Sequence, residues 1–208
     1  MPTLRERDTD LSIIIPVYNL ERFLSPMLRS LKAQDLGEYS VEIIFVLNNC
    51  TDDSEGVIDR SCIECKVISC TTQGCGPARN AGLEIAQGRY VWMMDGDDWL
   101  ISGTAVRDAM DAAVGQDIIR VPFKSDLYNY QYFSMVWQYV MRRDFIKEFS
   151  FPDYQPAEDD AYMLQVLAKA GRDMYSYMGL PHVDRALYYY NYLREGSNMY
   201  RHYLGEKI

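Results

Sequence analysis

The apolar positions of the first 122 residues alternate between two patterns. Continuous apolar runs of strand length recur at residues 11–19, 41–49, 66–69, 90–94 and 117–122. Such runs are typical of strands that are buried on both faces of a sheet. Between them, apolar residues recur at helical spacing, as at Leu24, Met27, Leu28 and Leu31. Strand and helix therefore alternate regularly, which predicts a mostly parallel α/β sheet with helices on both faces.

Helix signals occur in the segments 21–34, 51–60, 76–88, 104–114 and 157–171. Thr51 or Asp52 is the predicted N-cap of the second segment, because a short polar side chain can accept from the N–H groups of the first turn. Pro77 lies near the start of the third, and Gly88 lies just past its end. Gly171 is placed to close the last segment.

The pattern changes after Pro122. Residues 123–141 are rich in Tyr and Phe and predict short strands or irregular segments, and residues 186–193 are β-prone. We find no linker, internal repeat or low-complexity stretch in the sequence. One domain over residues 1–208 is therefore expected.

Charge and cysteine content bound the class of protein. A net charge of −9 without a basic patch argues against nucleic-acid binding. The polar N-terminal segment lacks the apolar stretch of a signal peptide, and no run approaches the roughly 20 apolar residues of a membrane helix. A cytoplasmic protein with reduced thiols is therefore expected. A short strand separates Cys65 from Cys70, which argues against a zinc ion shared by the clustered cysteines.

Polar side chains follow the predicted strands where they end. Asn48 closes the second strand, and Asp95, Asp97 and Asp98 come directly after the fourth. Ligands of open α/β sheets bind outside the carboxyl ends of the strands. Crowded carboxylates favour a cation, so this cluster predicts Mg²⁺ or Mn²⁺, which prefers oxygen ligands and commonly shares them with substrate phosphates. An acidic turn without a ligand is the alternative.

Arg79 lies in the first turn of the third predicted helix, after a glycine-containing loop. A cation is unfavourable at a helix N-terminus unless an anion lies beside it. We therefore expect the guanidinium and the helix N–H groups to bind a phosphate. A surface arginine without a ligand is the alternative.

Four segments occur in order: SIIIPVYN, EIIFVLNNCTDDS, GPARNAGLEIAQGRYVWMMDGDD and AEDDAYMLQVLAKAG. Each is unspecific alone, but their order and spacing resemble the motif series of family 2 glycosyltransferases, which have the GT-A fold. The resemblance runs from residue 11 to 171 and more weakly to 200. It implies an inverting transfer of a sugar from a nucleotide-diphosphate donor, with Mn²⁺ or Mg²⁺ as cofactor. Residues 10–122 would form the nucleotide-sugar-binding half, and residues 123–208 the acceptor-side half.

The resemblance implies a base pocket lined by Pro16, Val17 and Tyr18. Relatives often carry an aspartate at the position of Asn48, where it accepts a hydrogen bond from uracil. The amide oxygen of Asn48 can still accept from a ring N–H, although the charge is lost and a donor is gained. A UDP-sugar is the expected donor.

The remaining donor-side roles also follow from motif position. Asp95 would contact the ribose, and Asp97 would bind the metal ion, with the adjacent Asp98 as a further candidate ligand. Arg194 and Ser197 resemble a late motif that closes over the donor. The arginine of the third helix would approach the nucleotide.

The resemblance places the acceptor chemistry in the second half of the chain. Glu158 and Asp159 match the family's Glu-Asp pair, in which the aspartate is the usual general base. An acidic helix start that complements the dipole is the alternative. Relatives often have a lysine where this chain has Tyr139. Aromatic residues that could stack on an acceptor sugar, or pack in the core, are Tyr128, Tyr130, Tyr132, Phe133 and Trp137.

Other functions compete with glycosyl transfer. A nucleotidyltransferase would normally carry a glycine-rich basic loop after the first strand, where this chain has PVYNLERFL. A dinucleotide oxidoreductase would need a Gly-x-Gly-x-x-Gly turn. A non-catalytic relative that binds nucleotide or acts only as a partner subunit is the alternative from a different class. For an enzyme, the family's setting implies a glycan or glycolipid acceptor and peripheral contact with the inner face of the membrane. The sequence does not predict an oligomeric state.

Overall fold

Strands and helices alternate along the part of the chain that the computed structural model describes, which is residues 8–125, 135–153, 158–173, 175–191 and 194–195. The strands are β1 (Leu11–Val17), β2 (Val41–Asn48), β3 (Lys66–Cys70), β4 (Tyr90–Met93), β5 (Trp99–Leu100), β6 (Ile118–Arg120), β7 (Phe123–Lys124), β8 (Tyr139–Arg142) and β9 (Tyr188–Tyr189). The helices are α1 (Leu24–Lys32), α2 (Ser54–Arg60), α3 (Cys75–Ile85), α4 (Ala105–Ala113), α5 (Arg143–Ile146) and α6 (Glu158–Lys169). Short 3₁₀ helices span Val136–Gln138 and Tyr177–Gly179.

A six-stranded sheet in the order β3-β2-β1-β4-β8-β6 forms the centre of the molecule. β1 is parallel to β2 and to β4, and β2 is parallel to β3. These four strands are the first four apolar runs of the sequence, and β1 is buried along its whole length. The predicted mostly parallel α/β sheet is confirmed.

β8 is the antiparallel strand of this sheet, and it lies between β4 and β6. The fifth apolar run forms β6, which β8 separates from β4. Burial of Tyr139, Val140 and Met141 stabilises β8 between these two strands. The indole N–H of Trp92 donates to the carbonyl of Trp137 at 2.8 Å and connects β4 to the chain that enters β8.

The two faces of the sheet bury separate apolar layers. Ile13 and Ile15 of β1 point to the face covered by α1, α2 and α4, whereas Ile14 points to the face covered by α3, α5 and α6. The alternation follows from the two-residue repeat of a strand. Gly82 of α3 allows close packing on β1, since an added Cβ would lie 2.4 Å from Cγ2 of Ile14.

A second, three-stranded sheet in the order β5-β9-β7 lies beyond the end of β4. Trp99 and Tyr189 stack in it, with ring centroids 4.1 Å apart. This small sheet connects residues near the end of the chain to the turn after β4. Within the described ranges, no helix has the length and apolar character needed to cross a membrane.

The helix boundaries differ from the sequence predictions at both starts and ends. α3 ends at Ile85 with Ala86 as its C-cap, so the predicted position of Gly88 just past the helix end is wrong. α2 begins at Ser54 with Asp53 as N-cap, not at Thr51 or Asp52. Asp52 still contributes, because its carboxylate accepts from the Ser54 N–H at 3.1 Å. Gly171 follows α6 with a φ of 68°, which glycine adopts without strain, as predicted for a helix end.

Candidate active site

The carboxyl ends of β1 and β4 and the N-terminal ends of α3 and α6 meet at one edge of the central sheet. The N–H of Met94 donates to the carbonyl of Ile14 at 3.0 Å and extends the pairing to the end of β4. The chain then turns, and the Asp98 N–H donates to the Asp95 carbonyl at 3.1 Å. Four of the predicted site residues therefore lie close together: Arg79, Asp95, Glu158 and Asp159.

Arg79 joins carboxylates from distant parts of the sequence. Its Nη2 donates to Asp95 Oδ1 at 2.9 Å, and its Nη1 donates to Asp159 Oδ1 at 2.5 Å. A longer contact of 3.5 Å reaches Glu158 Oε1. The guanidinium also lies over the ring of Phe151, with 5.4 Å from Cζ to the ring centroid. The anions beside this arginine are thus carboxylates of the protein, where the sequence predicted a phosphate.

Asp159 is held through both of its oxygens. Oδ1 accepts from Arg79, and Oδ2 accepts from the Val136 N–H at 3.2 Å. Burial raises the pKa of Asp159 from 3.8 to about 7, with smaller increases from the charges of Asp95 and Glu158. The guanidinium of Arg79 opposes this rise. A carboxylate with a pKa near 7 can accept a proton at neutral pH, as a general base must.

Asp97 pairs with Arg194. The Nε of Arg194 donates to Asp97 Oδ2, and its guanidinium lies over the ring of Phe23 at 5.0 Å. Burial raises the pKa of Asp97, while the charge of Arg194 opposes that change. The structure therefore brings Arg194 to the acidic turn, as expected for a residue beside the donor. Ser197 lies outside the described residues.

Asp98 is a buried anchor of the turn, which argues against the predicted contact with a metal ion. Its side chain accepts from the Tyr188 hydroxyl at 2.7 Å and from the Asn191 N–H at 2.8 Å. The Asp95 N–H donates in turn to the Tyr188 hydroxyl at 3.0 Å. Burial is the main cause of the raised pKa of Asp98, and the charges of Asp97 and Asp95 raise it further. Both carboxylate oxygens of Asp98 are thus engaged in holding the turn.

Tyr188 and Asn191 contact the acidic turn, although the sequence did not single them out. Asn191 also donates through Nδ2 to the Asp97 carbonyl at 3.2 Å. The β-prone pattern of residues 186–193 predicted a strand there but not which turn it would contact. Pairing between β5 and β9 brings the two segments together.

Asn48 has different contacts from those expected of a base-reading residue. It is 4% exposed. Its Nδ2 donates to the carbonyls of Cys70 and Thr72 at 3.2 and 2.7 Å. Its Oδ1, predicted to accept from the base, accepts from the Gly74 N–H at 3.0 Å. Asn48 therefore holds the loop between β3 and α3.

Some of the residues predicted for the base pocket and the acceptor site lie at the surface, and others lie in the core. Tyr18 is 55% exposed, whereas Pro16 and Val17 are buried in β1, so their side chains do not line an open pocket. Trp137 is 1% exposed and stacks on Tyr188 with centroids 4.8 Å apart. Its place in the core argues against direct contact with an acceptor. The predicted acceptor aromatics at 128–133 lie outside the described residues.

The donor set of the turn fits a divalent cation shared with a ligand. Arg79 binds Oδ1 of Asp95 and Arg194 binds Oδ2 of Asp97, so the second oxygen of each carboxylate lies outside these ion pairs. Among the described residues, no group of three or more His, Cys, Asp or Glu side chains could hold a metal ion without further ligands. Asp95, Glu158 and Asp159 surround Arg79, and Asp97 pairs with Arg194, so carboxyl groups outnumber arginines at this edge. Mg²⁺ and Mn²⁺ commonly use one or two carboxylates together with substrate phosphates. Asp97 could hold such an ion.

The sequence model of the family described as Glycosyl transferase family 2 matches residues 12–160. The chain therefore belongs to glycosyl transferase family 2, and the resemblance seen in its motifs is confirmed. It is 29% identical over 224 residues to the uncharacterized glycosyltransferase EpsJ of Bacillus subtilis, covering 90% of this chain and 61% of EpsJ. It is 32% identical over 102 residues to the poly(ribitol-phosphate) beta-N-acetylglucosaminyltransferase TarS of Staphylococcus aureus, covering 47% of this chain and 18% of TarS.

Solved structures share the fold. The crystal structure of S. aureus TarS 1–349 in complex with UDP-GlcNAc superimposes with a TM-score of 0.78 at 23% identity, over 92% of this chain and 61% of that one. The mannosyltransferase PcManGT from Pyrobaculum calidifontis, in complex with GDP-Man and Mn²⁺, gives 0.70 at 15% identity, over 92% and 59%. The GT-A fold is confirmed. The chain spans less than two thirds of the length of EpsJ and of these structures.

Proposed function

We propose that the chain is a metal-dependent, inverting glycosyltransferase that moves a sugar from a UDP-sugar to an acceptor hydroxyl. One observation carries this proposal: Arg79 joins Asp95 of the acidic turn to Asp159, a buried carboxylate whose pKa is about 7. The proposed donor site and the proposed base would therefore share one guanidinium, each through a different terminal nitrogen. The UDP-GlcNAc and GDP-Man complexes of similar structures support a nucleotide-sugar donor.

Asp159 would act as the general base. The acceptor oxygen forms a bond to the anomeric carbon from the face opposite the diphosphate, and the acceptor proton passes to the carboxylate of Asp159. The bond between the anomeric carbon and the diphosphate oxygen breaks, and the nucleoside diphosphate leaves with the electron pair. Attack from the opposite face inverts the anomeric configuration.

The donor would bind along the edge from Tyr18 to the acidic turn. The exposed ring of Tyr18 can pack against a base, and Asp95 Oδ2 can accept from a ribose hydroxyl. Arg194 places a cation beside Asp97 for the diphosphate. Asp97 would hold Mn²⁺ or Mg²⁺, which supplies charge neutralisation to the departing diphosphate.

The acceptor is proposed to be a glycan or glycolipid of a cell-surface polymer, reached by peripheral contact with the membrane. Two curated relatives support this setting by their names: TarS, and the minor teichoic acid biosynthesis protein GgaB of B. subtilis, which is 35% identical over 106 residues. The match covers 46% of this chain and 11% of GgaB.

Thermal unfolding with UDP, GDP, ADP, CDP and dTDP, each with and without Mn²⁺, tests the donor site. At a hundredfold excess over its Kd, a ligand adds about 2.7 kcal/mol to the free energy of unfolding. For a domain of this size, this corresponds to a rise in Tm of about 5–11 °C. We expect the largest rise with UDP, and only with Mn²⁺ present.

Asp97→Ala tests the metal site in the same assay. We expect this variant to lose the dependence of UDP binding on Mn²⁺, while a matched surface variant, Asp53→Ala, keeps it. Equal titrations with and without Mn²⁺ in the wild type would contradict the metal site. No rise in Tm with any nucleotide would favour a non-catalytic partner subunit.

A further inference from the structure

Arg79 is a buried cation with three carboxylate neighbours. Its side chain is 4% exposed, and each terminal nitrogen donates to a different aspartate. Its Nε is buried and has no hydrogen-bond partner among the described residues. An unpaired buried donor costs free energy, so the contacts of the two terminal nitrogens must fix the guanidinium in this orientation.

This placement is unfavourable for binding the diphosphate. To reach a phosphate, the guanidinium of Arg79 would have to leave Asp95 and Asp159, which are themselves partly buried. The two aspartates and Glu158 would then face one another without a cation. Removal of one partner from a buried ion pair leaves an uncompensated charge, which is strongly unfavourable.

We propose that Arg79 is a positioning residue for glycosyl transfer, which orients the base Asp159 and couples it to Asp95 in the donor site. The inference rests on the proposed function. Arg79 holds Oδ1 of Asp159, and the Val136 N–H holds Oδ2, so the plane of the carboxylate is fixed. The same guanidinium holds Oδ1 of Asp95, so a change in Asp95 on donor binding is transmitted directly to Asp159.

Arg79 also balances the charges that face Asp159. From α3 come Arg79 and the thiol of Cys75, from the end of β4 comes Asp95, and from α6 comes Glu158. Burial raises the pKa of the Cys75 thiol, so this group is neutral. Arg79 is the cation of this set. Without it, burial and the two carboxylates would raise the pKa of Asp159 further.

Three variants of the full chain test the proposal: Arg79→Lys, Arg79→Gln, and Arg60→Gln as a matched surface control, since Arg60 pairs with Asp53 in an exposed salt bridge. Near-UV circular dichroism checks that each variant is folded. The titration of Asp159 is followed by NMR with ¹³C-labelled aspartate carboxyls, its signal identified by its loss in Asp159→Asn. Calorimetry gives the Kd of UDP with Mn²⁺. Turnover is measured as release of UDP from UDP-GlcNAc over a range of pH.

We expect Arg79→Gln to raise the pKa of Asp159 by about 1 or more and to move the pH dependence of turnover in the alkaline direction. Arg79→Lys keeps the charge but cannot reproduce the fork between the two aspartates. It should lower kcat about 100-fold, as expected for a misplaced catalytic group, and leave the Kd of UDP with Mn²⁺ unchanged. The control should match the wild type throughout.

Two results would overturn the inference. One is an unchanged pKa of Asp159 in a folded Arg79→Gln variant. The other is a loss of UDP affinity in Arg79→Lys as large as the loss of kcat, which would instead identify Arg79 as a phosphate ligand. If Arg79→Gln does not fold, the comparison of kcat with Kd in Arg79→Lys decides. If the wild type releases no UDP from UDP-GlcNAc or from a panel of other UDP-sugars, the proposed function fails, whereas the Asp159 titration still tests the positioning role.

Discussion

The charge of Asp159 opposes folding, although the proposed chemistry requires it. The pKa of Asp159 is about 7 in the folded chain and 3.8 when unperturbed, so the folded state binds more protons between these values. The free energy of unfolding therefore falls as the pH rises from about 4 to about 7. At higher pH the charged group costs up to about 4 kcal/mol.

Asp159→Asn should therefore abolish sugar transfer and stabilise the protein at pH 8. Without the base, the acceptor proton has no recipient, whereas UDP binding with Mn²⁺ should persist because Asp95 and Asp97 are unchanged. The gain in Tm should be largest at pH 8 and should disappear near pH 4. Turnover assays and thermal unfolding at both pH values measure these effects. A variant that transfers sugar at the wild-type rate would disprove the role of Asp159.

The pH dependence of the wild-type enzyme is a second prediction at this residue. Only the ionised form of Asp159 can accept a proton, so kcat should rise with pH through about 7. Initial rates between pH 5 and pH 9, at saturating donor, measure the midpoint. A rate that is constant down to pH 5 would show that Asp159 does not limit the reaction.

The two roles considered for Asn48, contact with the base and anchoring of the loop after β3, predict opposite effects of the substitution Asn48→Asp. In the structure, Asn48→Asp would replace an amide donor to the Cys70 and Thr72 carbonyls with a carboxylate, which repels them. We expect a loss of about 1–3 kcal/mol or more in the free energy of unfolding, measured in urea. The aspartate common in relatives should therefore not improve UDP binding in this chain.

Asn49→Asp is the matched control, because Asn49 is the exposed neighbour and donates only to the Thr71 carbonyl. It should change stability little. If Asn48→Asp is instead as stable as the wild type and binds UDP more tightly, Asn48 faces the base.

At the scale of elements, β9 holds the acidic turn through one hydroxyl. The Tyr188 hydroxyl accepts from the Asp95 N–H and donates to Asp98. Tyr188→Phe should cost about 1–3 kcal/mol, since it leaves buried polar groups with fewer partners, and it should weaken UDP binding by loosening the turn. Urea unfolding and calorimetry measure the two effects.

Tyr39→Phe is the control for this prediction. This variant also removes a tyrosine hydroxyl, but the hydroxyl of Tyr39 donates to Asp111 at the surface, where water can replace the lost partner. It should cost less than Tyr188→Phe and leave UDP binding unchanged. Equal losses in the two variants would show that the turn does not depend on β9.

The elements that the sequence predicted well are those formed by local patterns. β1 to β4 and α1 to α4 follow from apolar runs and helical spacing, which depend on nearby residues only. The position of β8 does not, because its pairing with β4 joins Tyr90 to Arg142 and depends on tertiary packing. A strand as short as β5 carries too few residues for a distinct pattern.

The candidate site shows the same difference between local sequence patterns and tertiary packing. The sequence brought Asp95, Asp97 and Asp159 together through strand ends and a family resemblance, and the structure places Asp95 and Asp159 on one guanidinium. The partners of Arg79 could not be predicted, because a buried cation and a phosphate-binding cation have the same local pattern. The buried states of Asp98 and Trp137 likewise depend on β9, which lies far along the chain.

At the scale of the whole molecule, residues 10–122 share one sheet with the segment that follows them. β8 belongs to the segment after residue 122 but lies inside the sheet, between β4 and the edge strand β6. A chain of residues 1–122 would leave an open edge on both strands, and open edges pair with other chains. We expect this fragment to aggregate, as measured by size-exclusion chromatography, whereas a monomeric fragment with cooperative unfolding would contradict the shared sheet.

The late arrival of β8 has a consequence for synthesis in the cell. At 5–20 residues per second, the ribosome needs about 1–4 s to extend the chain from Pro122 to Arg142. During this interval β4 and β6 are already translated, yet the strand that joins them is missing. The nascent chain therefore exposes apolar strand edges for seconds, which makes this stage of translation the one at which a chaperone would bind.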